Sequence, residues 1–148
     1  IYYNEKQFLK MYDIISPTYR VKIMEIINFL EEYMNSLSHK ETNDGFELMM
    51  PFTFFNDEQT GIKLNIKKNA GGWYDIDDNG NTFRYLHNLD VNIVDYKDRI
   101  EIICSLFSLK IEDELVKGVI GFGTNQTYKQ LHNFLQGLSH LSTIKYFD

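Results

Sequence analysis

Apolar residues recur with a helical period in the first third of the chain and with other periods beyond it. Between residues 17 and 37 they return at intervals of three and four, which indicates an amphipathic helix of about four turns. Ser16 is placed to cap this helix, and Pro17 suits its first turn. A shorter helix is predicted over residues 4–15, with Asn4 as its cap. The stripe of the longer helix consists of Ile23, Ile26, Ile27, Leu30, Tyr33, Met34 and Leu37.

The pattern changes to that of short strands after a polar segment. Residues 38–45 are polar and end in Asp-Gly, which predicts a loop. Residues 46–55, 62–68 and 73–76 then read as three strands separated by tight turns, an antiparallel meander. Pro51 cannot donate to a strand ladder, so the first of these strands is expected at an edge or a bulge.

Helical spacing returns in the remainder of the chain. A short helix is predicted over residues 82–89, a second over 96–109 and a last one over 124–144, with a small hairpin over 110–120. The second helix places Ile100, Ile103, Cys104 and Phe107 on one side. The last helix places Leu131, Phe134, Leu135, Leu138 and Leu141 along one stripe.

This order of elements predicts an α+β fold. We expect a small antiparallel sheet, built from a three-stranded meander and a short hairpin, to pack against helices. An N-terminal helical pair precedes it. Residues 1–45 are expected to form the helical segment and residues 46–148 the α+β domain, the two making one compact unit.

Composition narrows the classes of protein to consider. The 148 residues are 43% apolar and 24% charged, as in an ordinary globular protein. No apolar run approaches the roughly 18 residues that cross a membrane, and no signal segment stands at the start. The single cysteine, Cys104, leaves no intramolecular disulfide and fits a reducing compartment, so we expect a cytoplasmic protein. Its formal net charge of −6, without a basic patch, argues against direct nucleic-acid binding.

An acidic stretch, "WYDIDDNGNTFRYL" at residues 73–86, matches the first half of a calcium-binding loop. Asp75, Asp77 and Asn79 stand at ligand positions 1, 3 and 5, and Gly80 at position 6. Position 12, which needs a bidentate glutamate, is Leu86. The residues before the stretch also predict strand and turn, where a calcium loop has an entering helix.

A turn that leads into a helix is therefore the favoured interpretation of this stretch. Asp77, Asp78 and Asn79 are turn formers, and the glycine that follows is free to take a positive φ. Asn81 or Thr82 is expected to cap the helix. No metal or other cofactor is assigned.

Other catalytic patterns are incomplete. The glycines of residues 118–124 have the spacing of a phosphate-binding loop, but the lysine that must follow is missing, so a flexible connection and helix cap are favoured. A magnesium-dependent nuclease core would need an acid before a strand and an acid-x-Lys on it. Asp57 meets the first requirement, whereas the later pair reads Asn65-x-Lys67. The four histidines lack a zinc-binding spacing.

An ordered set of motifs runs from residue 46 to the end of the chain. Pro51-Phe52 is followed by the strand "IKLNIKK", then by "YDIDDNGNTFRYL", a helix carrying Arg99, "FSLKIEDEL" and a closing amphipathic helix. In these features the segment resembles the bacterial family called domain of unknown function 1828, although Asn79 is an extra residue in the Asp-Asp-Gly turn. The resemblance implies a cytosolic bacterial protein of the kind seen among phage and mobile-element genes. It implies no catalytic residues.

We therefore expect a non-enzymatic interaction module, an accessory protein of a phage or mobile element whose partner is another protein. The exposed side of the turn near Trp73, Tyr74 and Tyr85 is the candidate contact surface, because aromatic residues are enriched in interface cores. Packing inside the core is the other interpretation of these aromatics.

Two alternative functions stay open. One is a metal-dependent enzyme acting on nucleic acid through Asp57, Asp75, Asp77 or Asp78. The other is a small-molecule sensor with a pocket between sheet and helices. The oligomeric state is not predicted.

Overall fold

A computed structural model describes residues 5–54, 57, 61–121 and 126–146 of the chain. The chain divides into two units, residues 1–37 and residues 38–148. The predicted boundary at residue 45 falls inside the second unit, because residues 38–41 belong to its sheet. The predicted cap Asn4 lies outside the described residues.

The first unit consists of two helices, α1 (Glu5–Ile14) and α2 (Pro17–Ser36), as the periodicity predicted. Ser16 stands before α2 in an extended conformation and Pro17 is its first residue, but the Ser16 side chain makes no capping bond. Arg20 ties the two helices together, since its Nε donates to the Ile15 carbonyl at 2.8 Å and its Nη2 to the Asp13 carbonyl at 2.7 Å. Of the twenty residues of α2, all of them described, none is buried.

The second unit is built on an antiparallel sheet of six strands in the order β1-β2-β3-β4-β6-β5. The strands are β1 (Ser38–Glu41), β2 (Gly45–Met50), β3 (Ile62–Lys68), β4 (Tyr74–Asp77), β5 (Lys110–Glu112) and β6 (Leu115–Ile120). The predicted meander is present as β2-β3-β4, and the predicted hairpin is present as β5-β6. The fold class is thus the expected α+β, with a larger sheet than expected.

Two details of the sheet correct the sequence predictions. The segment 38–45, predicted as a loop, contains β1, which pairs with β2 over four residue pairs from Ser38–Met49 to Glu41–Phe46. The strand that ends before Pro51 was expected at an edge, but β1 covers its outer side. The proline lies just past the last residue of β2 and removes no ladder bond.

Three helices cover one side of this sheet: α3 (Asn81–Asn88), α4 (Lys97–Phe107) and α5 (Thr127–Ser142). The helices α3 and α5 pack against β6, and α4 packs against α5. The strands supply alternate side chains to the core between them, since β3 is buried at Ile62, Leu64 and Ile66 and exposed or half-buried at the residues between. Short 3-10 turns at Ile93–Tyr96 and Ile144–Tyr146 complete the unit.

The predicted apolar stripes of the later helices face this core. Ile100 of α4 is buried, and so are Phe134, Leu138 and Leu141 of α5. Gly118 of β6 lies directly under the ring of Phe134. Across the described residues, no helix combines the length and the apolar character needed to cross a membrane.

Candidate functional site

Asp78 lies where β4 ends and α3 begins, and its side chain is fully buried. Its Oδ1 accepts hydrogen bonds from the backbone N–H groups of Gly80 and Val116, each at 3.0 Å. Its Oδ2 accepts another from the Thr82 N–H at 2.9 Å. Bonds from N–H groups to a charged carboxylate are among the stronger ones in proteins. Asp78 therefore joins β4, α3 and β6 through their backbones.

The helix cap differs from the sequence prediction. Asn81 or Thr82 was expected to cap α3, but both lie inside the helix. The Asp78 carboxylate, two residues before the cap position, accepts the hydrogen bond from the Thr82 N–H of the first turn instead. Gly80 occupies that position with φ 73°. Asn81 Nδ2 donates instead to the Asp78 carbonyl at 2.6 Å and the Lys63 carbonyl at 3.0 Å. The turn thus holds α3 against the neighbouring strand.

Asp77 takes part in a separate set of bonds across the sheet. Its Oδ1 accepts from the Asn79 N–H at 2.8 Å and from Asn65 Nδ2 at 2.9 Å. Asn65 Nδ2 also lies 3.2 Å from Asn79 Oδ1. The amide that departs from the nuclease pattern is therefore a hydrogen-bond donor to the acid beside it.

Asp75 belongs to a third set of bonds, at the turn between β3 and β4. Its Oδ1 accepts from Asn69 Nδ2 at 3.1 Å. Asn69 closes that turn through its own Oδ1, which accepts from the backbone N–H groups of Gly71 at 3.0 Å and Trp73 at 3.2 Å. The three acids of the stretch thus have three different groups of donors.

Asp57, the remaining acid of the metal hypothesis, pairs with a helix. Arg84 Nη2 of α3 donates to its Oδ2 at 2.9 Å, and only 8% of the Asp57 side chain is exposed. Within the described residues, no three His, Cys, Asp or Glu side chains are grouped in a way that could hold a metal ion.

The three predicted contact aromatics do not share one surface. Tyr85 is buried in the core, where its ring lies 5.0 Å from that of Phe54. Tyr85 cannot contribute to an exposed contact surface, because it lies on the side of α3 that faces the core. Burial raises the pKa of its hydroxyl, and the nearby Tyr146 and Asp57 raise it further. Tyr74 is half-buried, and Trp73 remains exposed over 49% of its surface.

Trp73 rests on a glycine of the adjoining strand segment. A Cβ on Gly121 would come within 2.5 Å of the Trp73 Cζ3 atom, so the ring packs flat on the backbone there. This contact holds one side of the indole against the sheet unit and leaves the rest accessible.

The sheet has a second face, which we call the open face. It is formed by the residues that alternate with the core positions, and none of their side chains, all of them described, is buried. By strand register they are Ser38, Lys40, Glu47, Met49, Lys63, Asn65, Lys67, Asp75, Asp77, Lys110, Glu112, Leu115, Lys117 and Val119. This face carries five lysines and four acids, although the chain as a whole is acidic.

A groove of about 550 Å³ crosses the open face over β4, β6 and β5. Apolar side chains contribute to it through Leu115 and Val119, and Val119 is 57% exposed. Charged side chains of both signs surround them: Lys67, Asp75, Asp77, Lys110, Glu112 and Lys117.

Ion pairs fix part of this charge pattern. Lys117 Nζ lies 2.6 Å from Glu112 Oε2, and Lys63 Nζ lies 3.1 Å from Glu47 Oε1. The hydrogen bond from Lys117 lowers the pKa of the Glu112 carboxyl, and the same bond raises the pKa of the Lys117 ammonium. Both side chains are exposed, so water screens this pair strongly.

Sequence reasoning singled out Asp75 and Asp77 of this face, and Lys67 only as part of the incomplete nuclease pattern. It missed the other two acids, the other four lysines and Val119. The signal was present in the alternation of β3 and β6, which assigns every second residue to the side away from the core. The alternation does not predict the order of the strands in the sheet. It is this order that brings Lys67, Lys110 and Lys117 to one groove.

The cysteine shows no sign of activation. Cys104 is half-buried on α4, and desolvation, together with the nearby Glu101, raises the pKa of its thiol. A raised pKa keeps the thiol protonated at neutral pH and works against a nucleophilic role.

Comparisons with protein-family models, with curated proteins and with solved structures found no match to this chain. The resemblance to domain of unknown function 1828 therefore stays a prediction.

Proposed function

We propose that the protein is a non-enzymatic interaction module that docks on another protein through the open face. The observation that carries this proposal is the groove on the open face, in which the exposed Val119 and the half-buried Leu115 lie among charges of both signs. Protein interfaces combine an apolar centre with a polar rim, and a pattern of both signs selects partner and orientation.

The hydrogen bonding of the acids supports the non-enzymatic part of the proposal. Asp78 is buried among backbone N–H groups, and Asp77 and Asp75 accept from neighbouring amides. A divalent ion at Asp78 would have to displace backbone donors from both of its oxygens, and the donors of Asp75 and Asp77 hold these two carboxylates at different parts of the sheet.

The charge pattern favours a protein over a nucleic acid as the partner. Acids alternate with lysines on the open face, as where Asp75 and Asp77 adjoin Lys67 and Lys117 in the groove. Phosphate backbones select surfaces with clustered cations. A protein partner with charges of both signs around an apolar patch is therefore more complementary to the open face than a nucleic acid is.

The cellular setting belongs to the proposal as well. The resemblance in residues 46–148 supports an accessory protein of a phage or mobile element that acts in the cytoplasm.

A metal titration tests the non-enzymatic part. With magnesium, manganese or calcium at millimolar concentration, we expect the melting temperature to change by less than about 1 °C, because a site that binds the native state must raise stability by mass action. A rise of several degrees that Asp77→Asn abolishes and Asp98→Asn preserves would overturn it in favour of metal-dependent chemistry.

A matched pair of variants tests the docking surface. Val119→Glu alters the open face, whereas Val94→Glu introduces the same charge at a residue that is 78% exposed on the 3-10 turn before α4. In pull-downs from the native host, a partner that binds through the groove is expected to be retained by Val94→Glu and reduced at least tenfold by Val119→Glu. Equal retention by both variants would rule out the open face.

A further inference from the structure

The helix α2 is unusually apolar for a helix without buried residues. Ile26 is 59% exposed, Leu30 52% and Met34 62%. A contiguous exposed apolar surface on a protein marks an interaction site. The second unit offers a contrast, since every buried apolar side chain of the described part of the chain lies between Met50 and Ile144.

The spacing of these residues specifies the kind of partner. From Tyr19 the stripe advances in alternating steps of four and three residues, which is the heptad repeat of helices that pack side by side in a coiled coil. The repeat runs through Tyr19, Ile23, Ile26, Leu30 and Tyr33 of α2, and Leu37, the extended C-cap residue, follows at the next interval. Ile27 and Met34 widen it on one side, as in the helices of bundles.

The charged residues beside the stripe favour one direction for that partner. In the heptad, Arg20 and Lys22 lie at the e and g positions next to the stripe, whereas Glu25, Glu31 and Glu32 lie at b and c positions, away from it. A second α2 in parallel would bring the cations of both copies together at one end of the pair. In the antiparallel direction the cations lie at opposite ends, so this direction avoids their repulsion.

We propose that two copies of the chain associate through α2 in an antiparallel pair. This surface lies in the first unit, and the inference does not depend on the open face. A two-fold axis near Asn28 would set Ile26 against the partner's Leu30, and Ile23 against the partner's Tyr33. Tyr19 then lies level with the end of the partner's α2, next to its C-cap residue Leu37. Each position of the repeat thus has an apolar residue opposite it or beside it.

The extent of the stripe is sufficient for such a pair. At 1.5 Å per residue, α2 is about 30 Å long, and the stripe runs along all of it. A specific interface buries about 800 Å² on each partner, which a helix pair of this length has the apolar side chains to supply.

Sedimentation equilibrium of the full chain between about 1 and 100 µM tests the association. We expect wild type to change from mainly monomer at about 1 µM to mainly dimer at about 100 µM, and Ile26→Glu to weaken the dimer about 30-fold or more, the effect typical of a central interface residue. Val21→Glu is the matched control, because Val21 is also β-branched, is 60% exposed and lies on the other side of the same helix. It should leave the dimer intact.

Two further measurements keep the result interpretable. Leu30→Glu is a second stripe variant, and the fluorescence of Trp73, the only tryptophan, reports whether the second unit stays folded. A wild-type monomer at all concentrations would overturn the proposal, and so would a dimer that both stripe variants leave intact. Because the docking test uses Val119, either proposal can fail while the other stands.

The direction of the helices is tested by distance. In a Cys104→Ser background, spin labels at Thr18→Cys would lie near opposite ends of the antiparallel pair. With the two-fold axis near Asn28, the two labels are separated along the helices by the length of about 20 residues, or about 30 Å. A distance of about 30 Å or more supports the antiparallel pair. Labels about 10 to 15 Å apart would indicate parallel helices and contradict it.

Discussion

Asp78 is the residue on which three elements of the second unit converge. Its buried carboxylate accepts hydrogen bonds from N–H groups of the turn, of α3 and of β6, where the donor lies 38 positions further along the chain. The same two oxygens thus hold both the local turn and a distant strand in place.

Replacing this carboxylate should destabilise the fold. We expect Asp78→Ala to lower the free energy of unfolding by about 3 kcal/mol, since it leaves buried N–H groups without an acceptor. Asp75→Ala, which removes an exposed carboxylate with one side-chain donor, should stay within about 0.5 kcal/mol of wild type. Urea unfolding followed by Trp73 fluorescence compares the two, and equal midpoints would contradict the role given to Asp78.

The Glu112–Lys117 pair makes a prediction about pH. Because the bond from Lys117 lowers the pKa of Glu112 in the folded state, the pair stabilises the fold at pH above the ordinary glutamate value and loses this effect as the pH falls through the lowered one. Lys117→Met should therefore raise the pKa of Glu112, while Lys129→Met should leave it unchanged. Carbon NMR of the Glu112 carboxyl measures both, and an unchanged pKa in Lys117→Met would show that the bond is absent in solution.

Single residues were predicted best where local chemistry decides their place. The turn at Asp77–Gly80 follows from residue type alone, whereas the burial of Tyr85 depends on which side of an eight-residue helix meets the sheet. The first turn of α3 bonds to the Asp78 side chain and not to that of Asn81. Between Asp78 and the helix stand two residues with positive φ, Asn79 and Gly80, which residue type alone did not reveal.

At the scale of elements, β6 and α5 pack closely at Gly118. A Cβ there would come within 2.8 Å of Phe134 Cδ2 and 3.4 Å of Ile76 Cγ2, so strand and helix would have to move apart. Amphipathic stripes located both elements from sequence. The strand β1 was missed because all four of its residues, Ser-His-Lys-Glu, are polar, and only its pairing with β2 makes it a strand.

Filling that space should cost stability. We expect Gly118→Ala to lower the free energy of unfolding by about 1–3 kcal/mol through overpacking. Gly71→Ala is the control, since its Cβ would meet Asn69 Oδ1 and Trp73 Cδ1 only at ordinary contact distances of 3.4 and 3.6 Å. Thermal melting separates the pair, and a Gly118→Ala protein as stable as the control would show that helix and strand are less tightly packed.

At the scale of the whole molecule, the two units differ in what stabilises them. The second has its own core, whereas α2 exposes its stripe. Most of the stability of a helix in a protein comes from packing of its apolar face, so α2 should depend on association.

Helix content should therefore change with protein concentration. We expect the circular dichroism at 222 nm to weaken on dilution from about 100 to 1 µM, while Trp73 emission stays constant, because dissociation removes the support of α2 and leaves the core of the second unit in place. Ile26→Glu should show the dilute signal at every concentration. A 222 nm signal per residue that is independent of concentration in wild type would contradict this dependence.

The outermost strands of the sheet have a consequence for how molecules can aggregate. β1 has four residues and β5 three, and each carries a lysine, Lys40 and Lys110. Short charged borders offer a neighbouring polypeptide little backbone to extend the ladder. Pairing of sheets edge to edge between molecules is thereby discouraged. Association between molecules then depends on side-chain contacts, which can limit the number of copies in a complex.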